Sequence, residues 1–276
     1  MQDPTDVTPG NTLDDAPHIL RDVMDPARAA AFFAALDLGP APTSDDPLPP
    51  FLHQIYFWDA QPPAKLGRDG HPRVGGLIPD MGLPRRMWAG GRLAFHAPLL
   101  AGIPAEKHSF VEDTQHKDGR TGPLGFVTLR HEIWQDHTLK VTEWQDLVYR
   151  EDPSPDTPLP TPQPAPVDEE TSETWQFPST LLFRYSALTF NGHRIHYDLD
   201  YARDVEGYDG LVVHGPLLAQ LLMLKATREL GPLAGFRFRA MSPVLHSQEA
   251  TLCRKGQVLW VRGHDGRLCM LAEAEL

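Results

Sequence analysis

Residues 217–224 read LLAQLLML, apolar at every position except Gln220. A surface helix needs only an apolar stripe, whereas these two turns are apolar nearly all round and have to be wrapped by other elements. His214-Gly215-Pro216 leads into the run and Gly231-Pro232 closes it, the proline suiting a first helical turn and the glycine a helix end. Lys225 and Arg228 fall toward the negative end of the helix dipole. Four short runs with strand character follow: GFRFRAM, EATLCRK, QVLWVRG and RLCMLAEAEL. A buried helix followed by an antiparallel sheet able to curl around it predicts an α+β fold.

The rest of the chain repeats that order. Asp25-Pro26 is an N-cap followed by a first-turn proline, ARAAAFFAAL continues as a helix, and Gly39-Pro40 ends it. Residues 51–58, FLHQIYFW, fit a helix or a strand equally by period. A proline- and glycine-rich segment covers 62–91. After it come RLAFHAPL, EKHSFVEDTQHK, LGFVTLRHEIWQD and TLKVTEWQDLVYRE, the last two alternating as half-buried antiparallel strands do.

Between these halves, proline occupies positions 153, 155, 158, 160, 162, 164 and 166. That spacing favours polyproline II, and residues 153–166 would reach about 43 Å at about 3.1 Å each. The division is a domain over 1–151, a linker over 152–172 and a domain over 173–276. The chain holds 28 prolines in 276 residues, about twice ordinary usage, which excludes a bundle of long helices.

Charge excludes further classes. Asp and Glu number 37 against 25 Lys and Arg, a net charge of −12, so neither nucleic acid nor an anionic membrane is an expected partner. An anionic ligand needs a local basic cluster working against that field. No run reaches the length of a membrane span, and the acidic start MQDPTDVTPGNTLDDAPH has no apolar core of a signal peptide. Cys253 and Cys269 form no C-x-x-C pair and read as small buried hydrophobes in a reducing compartment. The location expected is cytoplasmic.

Residues 186–200, SALTFNGHRIHYDLD, concentrate the reactive side chains. His193, His196, Asp198 and Asp200 have an H-x-x-H-x-D look, but cysteine partners and a third fixed ligand are missing, so no metal is expected. A polar, capping loop is a second reading. The third is acid–base chemistry by a histidine. In its favour, the helix that starts at Gly215 offers unpaired N–H groups, and glycine admits close approach to the backbone. A base plus an oxyanion site is the equipment of acyl chemistry. Neither G-x-G-x-x-G, G-x-x-x-x-G-K nor G-x-S-x-G occurs, and no cofactor is expected.

ALTFNGHRIHYD followed by GLVVHGPLLAQLL resembles the MaoC-type hydratase/dehydratase family. LPRRMWAGGRLAFHAPL, GPLGFVTLRHEIWQ and TEWQDLVYRE are similar to one subgroup of it. That subgroup contains itaconyl-CoA and 3-methylfumaryl-CoA (mesaconyl-CoA) hydratases and mitochondrial-type hydroxyacyl-thioester dehydratases. The resemblance runs from about residue 17 to 276. It implies a double hot-dog fold, two antiparallel sheets each wrapping a central helix, with residues 50–58 as the shorter helix.

In site terms, the resemblance makes His196 the family histidine and Gly215 the oxyanion glycine. The family aspartate falls on Asn191, an amide that cannot take a proton but can orient water. Asp59 and Asp80 are candidates to stand in for it. Arg85 and Arg86, expected in a Gly/Pro loop, would grip a carboxylate or CoA phosphates. Trp88 would stack on substrate or pack in the core, and His214 would support the oxyanion loop. The activity implied is reversible hydration of a 2-enoyl-CoA thioester, the acyl group a branched C5 dicarboxylate. Alternatives are a 3-hydroxyacyl-thioester dehydratase of fatty-acid metabolism, a hot-dog thioesterase and a non-catalytic acyl-CoA-binding module. A double hot-dog can stand alone as a pseudo-dimer, and pairing into a homodimer is left open.

Overall fold

The computed structural model describes residues 16–119, 122–152 and 161–276. Its strands are β1 (His18–Val23), β2 (Arg85–Phe95), β3 (Pro104–Gly119), β4 (Gly122–Gln135), β5 (Thr138–Arg150), β6 (Thr171–Gln176), β7 (Gly235–Ala240), β8 (Glu249–Lys255), β9 (Val258–Gly263) and β10 (Leu268–Glu275). Its helices are α1 (Pro26–Leu36), α2 (Ser179–Thr189), α3 (Leu199–Asp204) and α4 (Gly215–Leu230). All strands join one antiparallel sheet in the order β1-β3-β4-β5-β2-β7-β10-β9-β8-β6. Walking inward from either edge, the halves present the same succession of strands. They meet where β2 pairs with β7, Gly90 opposite Arg239 and Ala94 opposite Gly235. This is the α+β arrangement implied by the resemblance, with the two five-stranded halves joined edge to edge into one sheet.

α4 is the core of the second half. Leu217, Leu222, Met223 and Ala226 have no exposure at all. The sheet residues packed in the same cluster alternate along their strands: Phe236 and Phe238, Leu259 and Val261, Met270 and Ala272. Two long polar side chains that α4 buries are satisfied, whereas the buried Thr227 hydroxyl has no partner among the described residues. Lys225 pairs with Glu229 at 2.6 Å, and the Gln220 amide donates to Pro50 O at 2.7 Å, tying the helix to the first half.

In the first half, the helix implied over 50–58 shrinks to one 3-10 turn, Leu52–Ile55. Phe51 and Phe57 bracket it with left-handed backbones, φ 68° and 58°. The Phe57 N–H is drawn out to Asp22 Oδ2 at 2.9 Å, and the Trp58 indole donates to Leu188 O at 3.0 Å. These bonds, with Pro49-Pro50 in front, leave no room for a second turn. Phe51, Leu52, Ile55, Tyr56 and Phe57 are still buried, so the segment fills the core without being a regular helix.

α1 forms as its cap predicts, the Asp25 carboxylate accepting from Ala27 N at 2.9 Å, but it ends earlier than Gly39, at a left-handed Asp37. The edge strands β1 and β6 and the helix α2 have no strong period and were not expected. Residues 1–15 and 153–160 lie outside the described residues, so the acidic start and most of the proline spacer do too. Residues 161–170 run along the second half: Ala165 N donates to Gly266 O and the Trp260 indole to Pro166 O. Cys253 and Cys269 are buried and free. Among the described residues no helix is long and apolar enough to cross a membrane.

Candidate active site

A cavity of about 1490 Å³ is lined from both halves: Arg86, Trp88 and His71 on one side, Asn191, His196 and Gly215 on the other. His196 ends a short 3-10 turn, Arg194–His196, just past α2. Its Nδ1 lies 2.7 Å from Val212 O. A carbonyl can only accept, so Nδ1 carries the proton, and Nε2 of the neutral ring is a free base. Burial and the nearby His71 push its pKa down to about 4, against the pull of the Val212 carbonyl. The ring is therefore neutral at ordinary pH, the form a base requires.

His214 caps α4 and is fully buried. Its ring stacks on His196 at 3.6 Å and 19°, and its Nε2 is 2.8 Å from Ser186 Oγ on α2. Burial, then His196 and His193, hold His214 well below the usual histidine pKa. It is a neutral platform for the base. The next residue, Gly215, opens α4 and lines the cavity. A Cβ there would meet only Trp88 O, at 4.0 Å. The protein itself leaves this position uncrowded, and a side chain would extend into space where a ligand's oxygen can approach the helix N-terminus.

Asn191 follows α2, and its Oδ1 accepts the His193 N–H at 3.0 Å. Of the candidate stand-ins, Asp59 lines the cavity at an exposed position and accepts from Gln61, whereas Asp80 lies outside the lining, exposed, and accepts from Gly82 N. The carboxylate held against the loop that carries Asn191 and His196 is Asp69, from the glycine-rich segment of the first half. Its Oδ2 is 2.9 Å from His71 Nδ1. The His71 ring centre is 4.4 Å from His193, and His193 is 5.5 Å from His196. Backbone contacts deliver this pair. Arg194 N donates to Asp69 O at 2.8 Å, and Gly70, at φ 87°, comes so near Gly192 that a Cβ would lie 2.0 Å from its carbonyl oxygen.

Burial opposes charge on Asp69, but hydrogen bonds from the His71 ring and backbone N–H outweigh it, and the carboxyl stays below its usual range. Burial and Arg86 push His71 down to about 4, although Asp69 and the Asn191 amide both favour its charged form. His193 is pushed to about 2, first by burial, then by His71 and His196. Asp69, His71 and His193 bring possible ligand atoms within 4.8 Å of one another, a closeness for which the Asp69–His71 hydrogen bond and the adjacent ring account. The H-x-x-H-x-D set does not assemble: Asp198 caps α3 and pairs with Arg194, and Asp200 is exposed.

Arg85 and Arg86 are not in a loop. They open β2, opposite Arg150 and Tyr149 of β5, and strand alternation sends them to opposite faces. Arg85 is 4% exposed and pairs with Glu206, Nε to Oε2 2.6 Å. Arg86 lines the cavity. It makes no ion pair among the described residues. Trp88, half-buried, donates its indole N–H to Gly90 O and packs against Phe51 and Phe238, forming a wall of the cavity.

Sequence reading passed over Asp69 and His71 because two polar residues around a glycine look like any turn. It also passed over the polar inner face of β3–β5, where Lys107, Ser109, His131, Glu143 and Gln145 line the same cavity. There Glu143 Oε2 is 2.7 Å from His53 Nε2, and Ser109 Oγ is 2.7 Å from His131 Nδ1. Position-two spacing of polar residues on the core side of strands was the available signal.

Known proteins resemble this chain in sequence and in fold. The family model for hydroxyacyl-thioester dehydratase type 2 matches residues 51–246. Mesaconyl-C(4)-CoA hydratase of Chloroflexus aurantiacus is 45% identical over 259 residues, covering 90% of this chain and 91% of that protein. Among solved structures, HtdX of Mycobacterium tuberculosis superposes with a TM-score of 0.66 at 17% identity, covering 93% of this chain and 99% of that one. A second Mycobacterium tuberculosis protein, described as a double hotdog fold, gives 0.56 at 13% identity, covering 95% and 96%. The chain therefore has a double hot-dog fold and belongs to the hydroxyacyl-thioester dehydratase type 2 family.

Proposed function

We propose that this member of a hydro-lyase family adds water reversibly to a branched C5 dicarboxylyl-CoA, such as 3-methylfumaryl-CoA (mesaconyl-CoA) or itaconyl-CoA. The observation that carries the chemistry is His196, its Nδ1 held on Val212 O and its Nε2 free, in one cavity with the N-terminus of α4. The thioester carbonyl sits against the Gly215 N–H, which stabilises charge as it develops on that oxygen, an effect worth about 10²–10³ in rate. His196 Nε2 takes a proton from water while the oxygen bonds to the β-carbon and the C=C pair moves toward the thioester oxygen. The imidazolium then returns the proton to the α-carbon. Dehydration is the reverse.

The substrate class rests on Arg86 and on the relative's name. An arginine lining the cavity with no ion pair among the described residues suits a second carboxylate bidentately. The test follows loss of enoyl-thioester absorbance with itaconyl-CoA, 3-methylfumaryl-CoA and crotonyl-CoA, for wild type and His196→Ala. The expected result is fast turnover of a dicarboxylyl-CoA that falls at least about 10³-fold in the variant. A preference for crotonyl-CoA would move the reading to a lipid dehydratase with the same site. Release of free thiol would make the chain a thioesterase, and retained activity in His196→Ala would remove the base from this assignment.

A further inference from the structure

A water that attacks carbon has two hydrogens, and it is aimed best when both are held, leaving a lone pair toward the reacting carbon. His196 Nε2 is one acceptor. At position 191, where the family resemblance places a carboxylate, this chain has an amide whose oxygen accepts a backbone N–H. The other half of the molecule brings in an imidazole instead. His71 donates Nδ1–H to Asp69, so Nε2 of the neutral ring is an acceptor, and its ring lies beside the Asn191 amide. Asp69 Oδ1 also takes the His71 N–H at 3.0 Å, fixing the turn. The turn is docked by main-chain contacts to the loop that carries Asn191 and His196. An imidazole oriented by a carboxylate and lining the same cavity as the base is more than a turn requires.

We propose that His71, oriented by Asp69, is a further catalytic residue: its Nε2 accepts the second hydrogen of the attacking water, the task left open by the amide at Asn191. Asp69 is its positioning residue. The inference rests on the hydratase reading. In the step, one water proton goes to His196 Nε2 as the C–O bond forms and the C=C pair moves to the thioester oxygen, and that proton ends on the α-carbon. The second hydrogen stays on the oxygen and becomes the product hydroxyl, hydrogen-bonded to His71 throughout.

The test uses the full chain with the enoyl-thioester that the wild type hydrates fastest. His71→Ala should lower kcat about 100-fold with KM within about threefold, because the loop is held by backbone. Asp69→Asn should lower kcat about tenfold. The deciding variant is His71→Ala with Asn191→Asp. A carboxylate restored at 191 should recover at least about tenfold over His71→Ala, which no loss of loop structure would allow. Thermal unfolding shows whether each variant folds; if His71→Ala does not, Asp69→Asn alone and with Asn191→Asp carry the same comparison. A single variant that keeps more than a third of wild-type kcat, or a double variant no better than the single, overturns the proposal. So does activity that disappears on dialysis against a chelator and returns with zinc, which would make these side chains metal ligands. If His196→Ala is dead and His71→Ala is fully active, this inference fails and the hydratase reading stands. If the wild type hydrates no thioester, both fail.

Discussion

The two halves share one strand order and differ in what the sheet encloses. In the second, sixteen-residue α4 fills the curl of β7–β10, and the inward side chains are Phe, Leu, Val, Met and Ala. In the first, a four-residue turn takes the place of the helix, and β3–β5 present Lys107, Ser109, His131, Glu143 and Gln145 to a cavity. Buried polar groups are costly unless they are partnered. His53, Gln54 and Glu143 satisfy one another, as do Ser109 and His131. The lesson is a division of labour: the second half packs a helix whose start lines the cavity beside His196, and the first gives up packing for room and polarity there.

That contrast can be broken by mutation. The largest effect is expected in the packed half: Leu222→Ala, at a position with no exposure, should cost about 3 kcal/mol in urea unfolding, whereas Leu52→Ala in the short turn should cost about 2 kcal/mol. Equal losses would mean that the first half is packed as tightly as the second. Next is the contact between halves. Gly70→Ala puts a methyl against Gly192 O and should lower kcat about 50-fold with little change in melting temperature, although no titratable group is touched. Normal turnover would show that the 67–71 turn is not needed at the site. The smallest and most selective effect is Arg86→Met. It should lower kcat/KM about 20-fold for a dicarboxylyl-CoA and less than threefold for crotonyl-CoA. Equal losses would assign Arg86 to the CoA phosphates.

Long, strongly patterned elements were legible from residues alone. The all-apolar face of α4, the Asp25 cap of α1 and the alternation of β4 and β5 each state their structure locally. β1 and β6 were not legible, because an edge strand with one exposed side and mixed polarity has no period of its own. The 51–58 turn deceived for a different reason: its shape is set by Asp22 and Leu188, distant in sequence. The site divided in the same way. His196, His214 and Gly215 lie within one stretch and could be read together. Arg85 and Arg86 look identical in sequence, and only strand alternation with Glu206 across the fold separates them. Asp69 and His71 reach the Asn191 loop from the other half, so no spacing could announce them.

Joining β2 to β7 within one chain also frees the site from symmetry. In an assembly of two identical subunits, every substitution appears on both sides of the shared interface at once. A loop and the surface that faces it then cannot change independently. Here the loop that carries Asn191 and His196 occurs once, and so does the turn that carries Asp69 and His71. A carboxylate can be lost from one partner and an imidazole gained on the other without either change being copied where it would do harm. Holding both halves in one chain gives the two facing surfaces separate sequences, and an amide at 191 beside a carboxylate–imidazole pair from the other half is an asymmetry that such separation permits.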